Sequence, residues 1–453
     1  MDSKVTRRLF LKHGGIALAS VGLAPVMGPA FLRRAVFAAE PTAAKRRKTL
    51  ICIFQRGAAD GLSVVVPHGD PDLYRLRPTL AIPRPDAGRT GASALDLDGF
   101  YGLHPALAPF LPIYKAGHLA VVHACGSPDG TRSHFDAQDY MESGAPGNKS
   151  IEDGWLSRAV LACPQDRAKL AASPFRAVAL GGDHGLPRSM QGDVGALAIP
   201  DLKSFGVGFS GIGAGPGRRA NKVEAAAALS GSASAAAGFE TLYDGAVGDV
   251  LHGTGAESFE AIKMLKQATA GGYAPANGAA YPAGKFGDSL KQIAQLIKAD
   301  VGVEVAFAEM GGWDTHANQG GVQGQLSTRL REFGQAISAL YYDLGDRMSD
   351  TVILTMSEFG RTAKQNGTGG TDHGHATCFF AMGGDVAGGK VLGKWPGLAA
   401  EQLNENRDLA LTTDFRAVFG EVAVKHLGGS GLKPVFPGYT GSSADFRGVL
   451  RGA

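Results

Sequence analysis

Two glycine-flanked runs, GGWDTHANQGG at 311–321 and GGTDHGHA at 369–376, set acidic and imidazole side chains close together. Asp314 and His316 form one pair two positions apart, and His373 and His375 form another, with Asp372 just before them. In extended backbone, residues i and i+2 point the same way, so each pair can offer its donors to one ion. Imidazole with carboxylate suits Zn, Mn or Fe better than Ca or Mg, which prefer shells made wholly of oxygen. A polar turn is the alternative for each run, and the stray DHG at 183–185 shows how little the tripeptide proves alone. Joint occurrence adds weight. Of twelve histidines in the chain, three fall in these two runs, with Glu358 shortly before the second.

Three further segments carry candidate chemistry. SEFGRT at 357–362 offers Glu358 as ligand or base, and Arg361, whose fork matches phosphate, sulfate or carboxylate; an ion pair between them would equally stitch the loop. QRGAADGLS at 55–63 carries Asp60, which can ligate a cation or simply turn the chain before glycine. In GTRSHFDAQDYME at 130–142, Ser133 precedes a helical pattern with Asp136 three residues on, a capping arrangement. A hydroxyl at a helix start also sits in a field that favours an alkoxide or a bound oxyanion, so both readings stand. His134, Arg132 and Asp139 add polar density there.

The elements that must position these residues alternate between short apolar runs and helical patterns. TLICIF (49–54), HLAVVHACG (118–126), FRAVAL (ending at Leu180), VEVAFAE (303–309), TVILTMS (351–357) and TCFFAMGG (377–384) predict strands. Helices are expected in LAPFLPIYKAG, from Ser133, in GWLSRAVLAC, in FGDSLKQIAQLIKAD, in QLSTRLREFGQAISALYYDLGDRM and in TDFRAVFGEVAVKHLG. That rhythm implies a doubly wound α/β fold with a mostly parallel sheet, and in such sheets sites form beyond the carboxyl ends of strands. The Gly-, Ala- and Ser-rich stretch at about 205–285 reads as an inserted helical segment or cap.

The N-terminus belongs to a different category. Thr6-Arg7-Arg8-Leu9-Phe10-Leu11-Lys12 resembles a bacterial twin-arginine export signal, followed by a weakly apolar stretch and small residues near Ala38. Residues 1–38 are therefore expected to be a signal peptide, 39–47 a basic linker and 48–453 one domain. The apolar run is short and broken by Gly and Pro, so no stable membrane anchor is expected after cleavage. Six basic residues against Asp2 give the segment a charge of +5 out of the chain's +3, leaving the remainder near −2. The basic balance thus lies in the targeting segment and gives no support for nucleic-acid binding. Four cysteines in a chain bound for the periplasm match no metal or redox spacing, and three lie in or beside apolar runs; buried free thiols are expected.

FQRGAADGLSVVVPHGDPDLYRLRP, YGLHPALAPFLPIYKAGHLAVVHACG, SHFDAQDYMESG, GGWDTHANQ, SEFGRT and GTDHGHA occur in this order. Together they resemble domain-of-unknown-function family 1501, a bacterial group usually carrying a twin-arginine signal. That family is similar in turn to the alkaline-phosphatase-like superfamily of sulfatases, phosphatases and phosphomutases. The resemblance implies an exported protein handled by the twin-arginine machinery, with one or two divalent metal ions serving hydrolysis of a phosphate or sulfate ester, small-molecule or glycan. It implies Asp60, Asp314, His316, His373 and His375 as metal ligands and Ser133 as nucleophile or as a donor beside the metal; with the residues read above, Glu358 joins the candidate ligands and Arg361 would hold the anion. Glu358-Phe359-Gly360 stands where sulfatase-like enzymes carry Asp-His-Gly, so one imidazole is missing at that strand end. The rival expectation is a non-catalytic envelope protein that keeps the fold and binds a glycan or protein partner.

Overall fold

TLICIFQ, VAFAEM and TVILTM have no polar face to turn to water, so they pair side by side with helices over both surfaces. The computed structural model describes residues 47–86, 92–163, 173–182, 185–202, 264 and 272–452. In chain order the strands are β1 (Thr49–Gln55), β2 (Val65–Val66), β3 (Leu95–Asp96), β4 (Gly102–Leu103), β5 (Leu119–Gly126), β6 (Ala177–Leu180), β7 (Leu197–Ile199), β8 (Val305–Met310), β9 (Thr351–Met356), β10 (Thr377–Gly383), β11 (Lys390–Leu392) and β12 (Thr413–Asp414). The α-helices are α1 (Gly61–Val64), α2 (Asp72–Leu76), α3 (Phe110–Lys115), α4 (His134–Ser143), α5 (Trp155–Leu161), α6 (Lys285–Lys298), α7 (Gln325–Leu344) and α8 (Phe415–Glu421).

The main sheet runs β11-β5-β10-β9-β1-β8-β6-β7, with β12 also paired to β5. Its pairs are parallel except those of β10, which lies antiparallel to both β5 and β9. The expected α/β class with a mostly parallel sheet therefore holds. The reversed β10 was not foreseen because an apolar run predicts a strand and not its direction, and the small antiparallel sheet β2-β4-β3 was missed because two-residue strands carry no periodicity to read.

Alternation along β1 sends successive side chains to opposite faces. Ile51 and Ile53 join a core with Leu290 and Ile293 of α6 and Leu330 and Phe333 of α7. Leu50, Cys52 and Phe54 join another with Met141 of α4, Trp155 of α5 and Phe419 of α8. All four cysteines are buried and none is in a disulfide.

The reversal of β10 decides where the polar loops meet. The segments after β1, β5, β8 and β9 leave from carboxyl ends at one edge of the sheet, whereas His373 precedes β10 and reaches that edge from the strand's amino end. The expected signal peptide, most of the linker, and 203–263 and 265–271 of the expected insertion lie outside the described residues. At its described end, Tyr273, Ala276 and Tyr281 dock on buried Asp343. No described helix is long and apolar enough to cross a membrane.

Candidate metal centre

Three imidazoles and one carboxylate converge at that edge. His134 opens α4, just after the strand-end loop of β5; Asp314 and His316 follow β8; His373 precedes β10. The Nε2 of His373 lies 3.0 Å from that of His134 and 2.9 Å from that of His316. Asp314 Oδ1 stands 3.5 Å from His134 Nε2, 3.0 Å from His316 Nε2 and 3.4 Å from His373 Nε2. The donors of His134, Asp314 and His373 all fall within 4.8 Å of one another, with His316 alongside.

The other ring nitrogens reveal which atoms can bind. His134 Nδ1 faces Glu358 Oε1 at 2.9 Å, His316 Nδ1 faces Asp372 Oδ1 at 3.0 Å, and His373 Nδ1 faces the Arg132 carbonyl at 2.8 Å. Carbonyls and ionised carboxylates only accept, so each Nδ1 carries the proton and donates. In the neutral ring, each Nε2 then presents a lone pair to the others and to Asp314. Four lone pairs facing one another repel unless a cation, a metal ion or a proton on one Nε2, lies between them. Ligand atoms held about 2.0–2.1 Å from a tetrahedral ion stand roughly 3.3–3.4 Å apart, close to the separations observed.

Charge argues the same way. Asp314, Glu358 and Asp372 contact the imidazoles, and among the described guanidiniums Arg361 alone is ion-paired with one of these three carboxylates, leaving two net negative charges when the rings are neutral. The Glu358 hydrogen bond raises His134 above the ordinary histidine value, against burial. Burial lowers His373. Burial pushes Asp314 upward, but Arg361, His316 and His134 together outweigh it and hold the carboxyl below its usual range. The donor set fits a divalent transition ion better than Ca or Mg.

Supporting contacts are built from backbone as much as side chains. Fully buried Glu358 accepts from Gly57 N–H at 2.8 Å and Gln138 Nε2 at 2.9 Å, and its Oε2 meets Ser357 Oγ at 3.0 Å. Gly57 takes φ 114°, and a Cβ there would come within 2.7 Å of the Asp314 nitrogen, so no other residue fits this approach. Phe359 packs its ring 4.9 Å from His134 and 5.2 Å from His373.

The remaining expected site residues sit differently. Asp60 is buried with both oxygens on Arg77, at 2.7 and 2.9 Å, and a further bond from Gln319 Nε2 at 2.6 Å. That pairing makes it a structural anchor rather than a ligand. Glu358 orients His134 instead of joining the converging atoms. His375 turns elsewhere: its charged neighbours are Asp408, Arg132, Glu405 and Asp129, because 373–376 is irregular backbone without the i, i+2 alignment of a strand. Arg361 is buried; Nε and Nη2 bond the carbonyls of Ala58, Gly57 and Trp313, Nη1 that of Thr371, and Nη2 also meets Asp314. Its geometry positions Asp314 and leaves the fork closed to an incoming anion. Ser133 is the N-cap of α4, its Oγ accepting from Asp136 N–H at 3.5 Å. His134 and Asp372 were the contributors that sequence reasoning passed over as ligand and partner; a histidine directly after the cap, on a helix following a strand end, was the available signal.

Residues 220–431 match the family model described as "Protein of unknown function (DUF1501)". The matched span includes Asp314, His316, Glu358, His373 and Arg361, while His134 and Ser133 precede it. No curated protein matches the chain.

Proposed function

We propose that this chain is an exported metal-dependent hydrolase of a phosphate or sulfate ester, with His134, Asp314, His373 and His316 holding one divalent ion. The observation that carries the reading is the convergence of three Nε2 lone pairs on Asp314 Oδ1, with every Nδ1 proton already given to an acceptor. A bound ion would supply Lewis-acid polarisation of the ester oxygen and a more acidic water. The chain's own part is to keep the rings in one tautomer through Glu358, Asp372 and the Arg132 carbonyl, and to aim Asp314 through Arg361. His316 and Asp314 are close to half exposed, so substrate would approach from their side. The ester class and the alkaline-phosphatase-like form of the fold come from the resemblance set out above, and export from the Thr6–Lys12 motif.

A second reading has an observation of its own. Ser133 is engaged as a cap and Arg361 is enclosed, so neither is presented as nucleophile or anion clamp, which favours a binding protein that keeps the metal without turnover. Metal content of the purified protein, with turnover of chromogenic phosphate and sulfate esters, separates the two. Stoichiometric metal with turnover, both lost in His134→Ala and His373→Ala, supports the hydrolase. Metal without turnover on either ester supports the binding protein, and absence of metal refutes both.

A further inference from the structure

Asp408 makes its hydrogen bonds to arginines rather than to the converging donor atoms, yet both arms that hold His373 run through it. It is fully buried, with Oδ2 accepting from Arg132 Nη2 at 2.7 Å and from Arg407 Nη1 at 3.3 Å. Arg132 supplies the carbonyl that takes the His373 Nδ1 proton at 2.8 Å. Arg407 Nη2 donates to the His373 carbonyl oxygen, also at 2.8 Å. One carboxylate therefore ties together the residue that fixes the ring and the residue that fixes the backbone.

The loop carrying Asp408 is fastened on several sides. Asn404 and Asp408 exchange backbone hydrogen bonds, at 2.8 and 3.0 Å, closing a tight turn. Ala363 N–H reaches the Arg407 carbonyl and Ala376 N–H the Leu409 carbonyl, so the loop bridges the segments after β9 and before β10. The turn holds two consecutive non-glycine residues, Glu405 and Asn406, at φ 53° and 52°. Asparagine takes left-handed backbone readily but glutamate does not, so at Glu405 the loop is bent against its local preference. Asp408 Oδ1 is buried with no hydrogen-bond partner among the described residues. A buried carboxylate with one idle oxygen is a poor choice for stability alone, which points to its charge as the property in use.

We propose that Asp408 is a positioning residue for His373. Its charge holds Arg132 and Arg407 so that the Arg132 carbonyl keeps the Nδ1 proton and Nε2 stays turned toward Asp314 and His134. The inference rests on the metal reading above. Glu405 reinforces one arm, accepting from Arg132 Nη2 at 2.6 Å on the exposed side.

Cobalt(II) titration of the full chain, read by visible absorption, tests it on wild type, Asp408→Asn, Arg407→Met and Asp343→Asn. In Asp408→Asn the amide nitrogen can occupy the idle Oδ1 position while the oxygen still accepts from Arg132. Arg407 is more than a third exposed, so its variant decides the matter should Asp408→Asn fail to fold. Asp343 is another buried carboxylate, paired with Lys298 and two tyrosines, and serves as the control for general destabilisation. Asp408→Asn and Arg407→Met should each weaken cobalt binding about 10–100-fold and alter the absorption bands, the range for partners that orient metal-bound histidines. Asp343→Asn should lower thermal stability and leave cobalt affinity and spectrum as in wild type. Wild-type affinity and spectrum in Asp408→Asn, or in Arg407→Met where the first does not fold, overturn the role while sparing the metal reading. An equal loss in Asp343→Asn also overturns it. Wild type that binds no cobalt overturns the metal reading and this inference together.

Discussion

Glu358 offers the sharpest separation between a carboxylate that orients and one that ligates. Four donors surround it: Gly57 N–H, Gln138 Nε2 and His134 Nδ1 at Oε1, and Ser357 Oγ at Oε2. In Glu358→Gln the amide oxygen can stay at Oε1 and keep its three donors. The amide nitrogen at Oε2 then donates to Ser357 Oγ, whose hydrogen turns fully to the Gln55 carbonyl at 2.8 Å. Ser357 Oγ, which also accepts from Ala59 N–H, takes one amide hydrogen and leaves the second without an acceptor among the contacts of this site, so metal-free stability should fall by about 1–3 kcal/mol. What disappears is the negative charge behind the His134 Nδ1 proton, and metal affinity should fall about 10–100-fold. Glu358→Ala behaves differently. It strands the Gly57 N–H, at about 1–3 kcal/mol, and empties a site closed to solvent, for a total of about 3–5 kcal/mol. Urea unfolding of metal-free protein measures the first quantity, and competition titration with zinc the second. Wild-type zinc affinity in Glu358→Gln would refute the orienting role, and equal destabilisation by Gln and Ala would refute the hydrogen-bond geometry.

Ser133→Ala should cost about 1 kcal/mol or less, since the capping bond to Asp136 is long, and it should leave metal affinity and ester turnover unchanged. A hundredfold loss of turnover with metal affinity intact would instead make Ser133 the nucleophile. Asp385 tests the electrostatics far from the centre: hydrogen bonds with His426 and Lys48 hold its carboxyl at about 2, below the ordinary 3.8. A depressed carboxyl stabilises the fold above its unfolded value and loses that contribution as pH falls through the folded one, here between about 4 and about 2. Urea midpoints measured across that window should therefore fall more steeply for wild type than for Asp385→Asn, and parallel slopes would sink the assignment.

The fold was largely legible because its central strands are unmixed apolar runs. TLICIF, VEVAFAE and TVILTMS predict strands that the structure places within two residues at either end, and the long amphipathic patterns of α6 and α7 are equally plain. The site was legible only in part. Asp314 with His316 is a local signal that survives folding, because both follow one strand and meet 3.0 Å apart. His373 with His375 looked the same on paper, but irregular backbone before β10 sends the second imidazole toward Asp408. Asp60 was misleading for a different reason. Its partner, Arg77, lies seventeen residues on, and spacing alone cannot show that a guanidinium will take both carboxylate oxygens. His134 went unassigned as a ligand because its neighbours come from β8, β9 and the approach to β10, and only the sheet order brings those ends to the start of α4.

That same order gives the Glu358-Phe359-Gly360 segment a physical sense. The strand end after β9 offers no imidazole, and α4 supplies one from across β10. For His134 to serve, its Nδ1 needs an acceptor and its ring needs a wall. Glu358 is the acceptor, and the Phe359 ring is a wall shared by His134 and His373. Gly360 permits the last step, since a Cβ there would lie 2.0 Å from the Ala376 carbonyl oxygen, where the chain enters β10. The three residues thus act together on imidazoles borne by other elements. An imidazole at position 359 would remove the wall from two rings that already converge, so Phe359 at this strand end and the imidazole that α4 supplies are two halves of one arrangement.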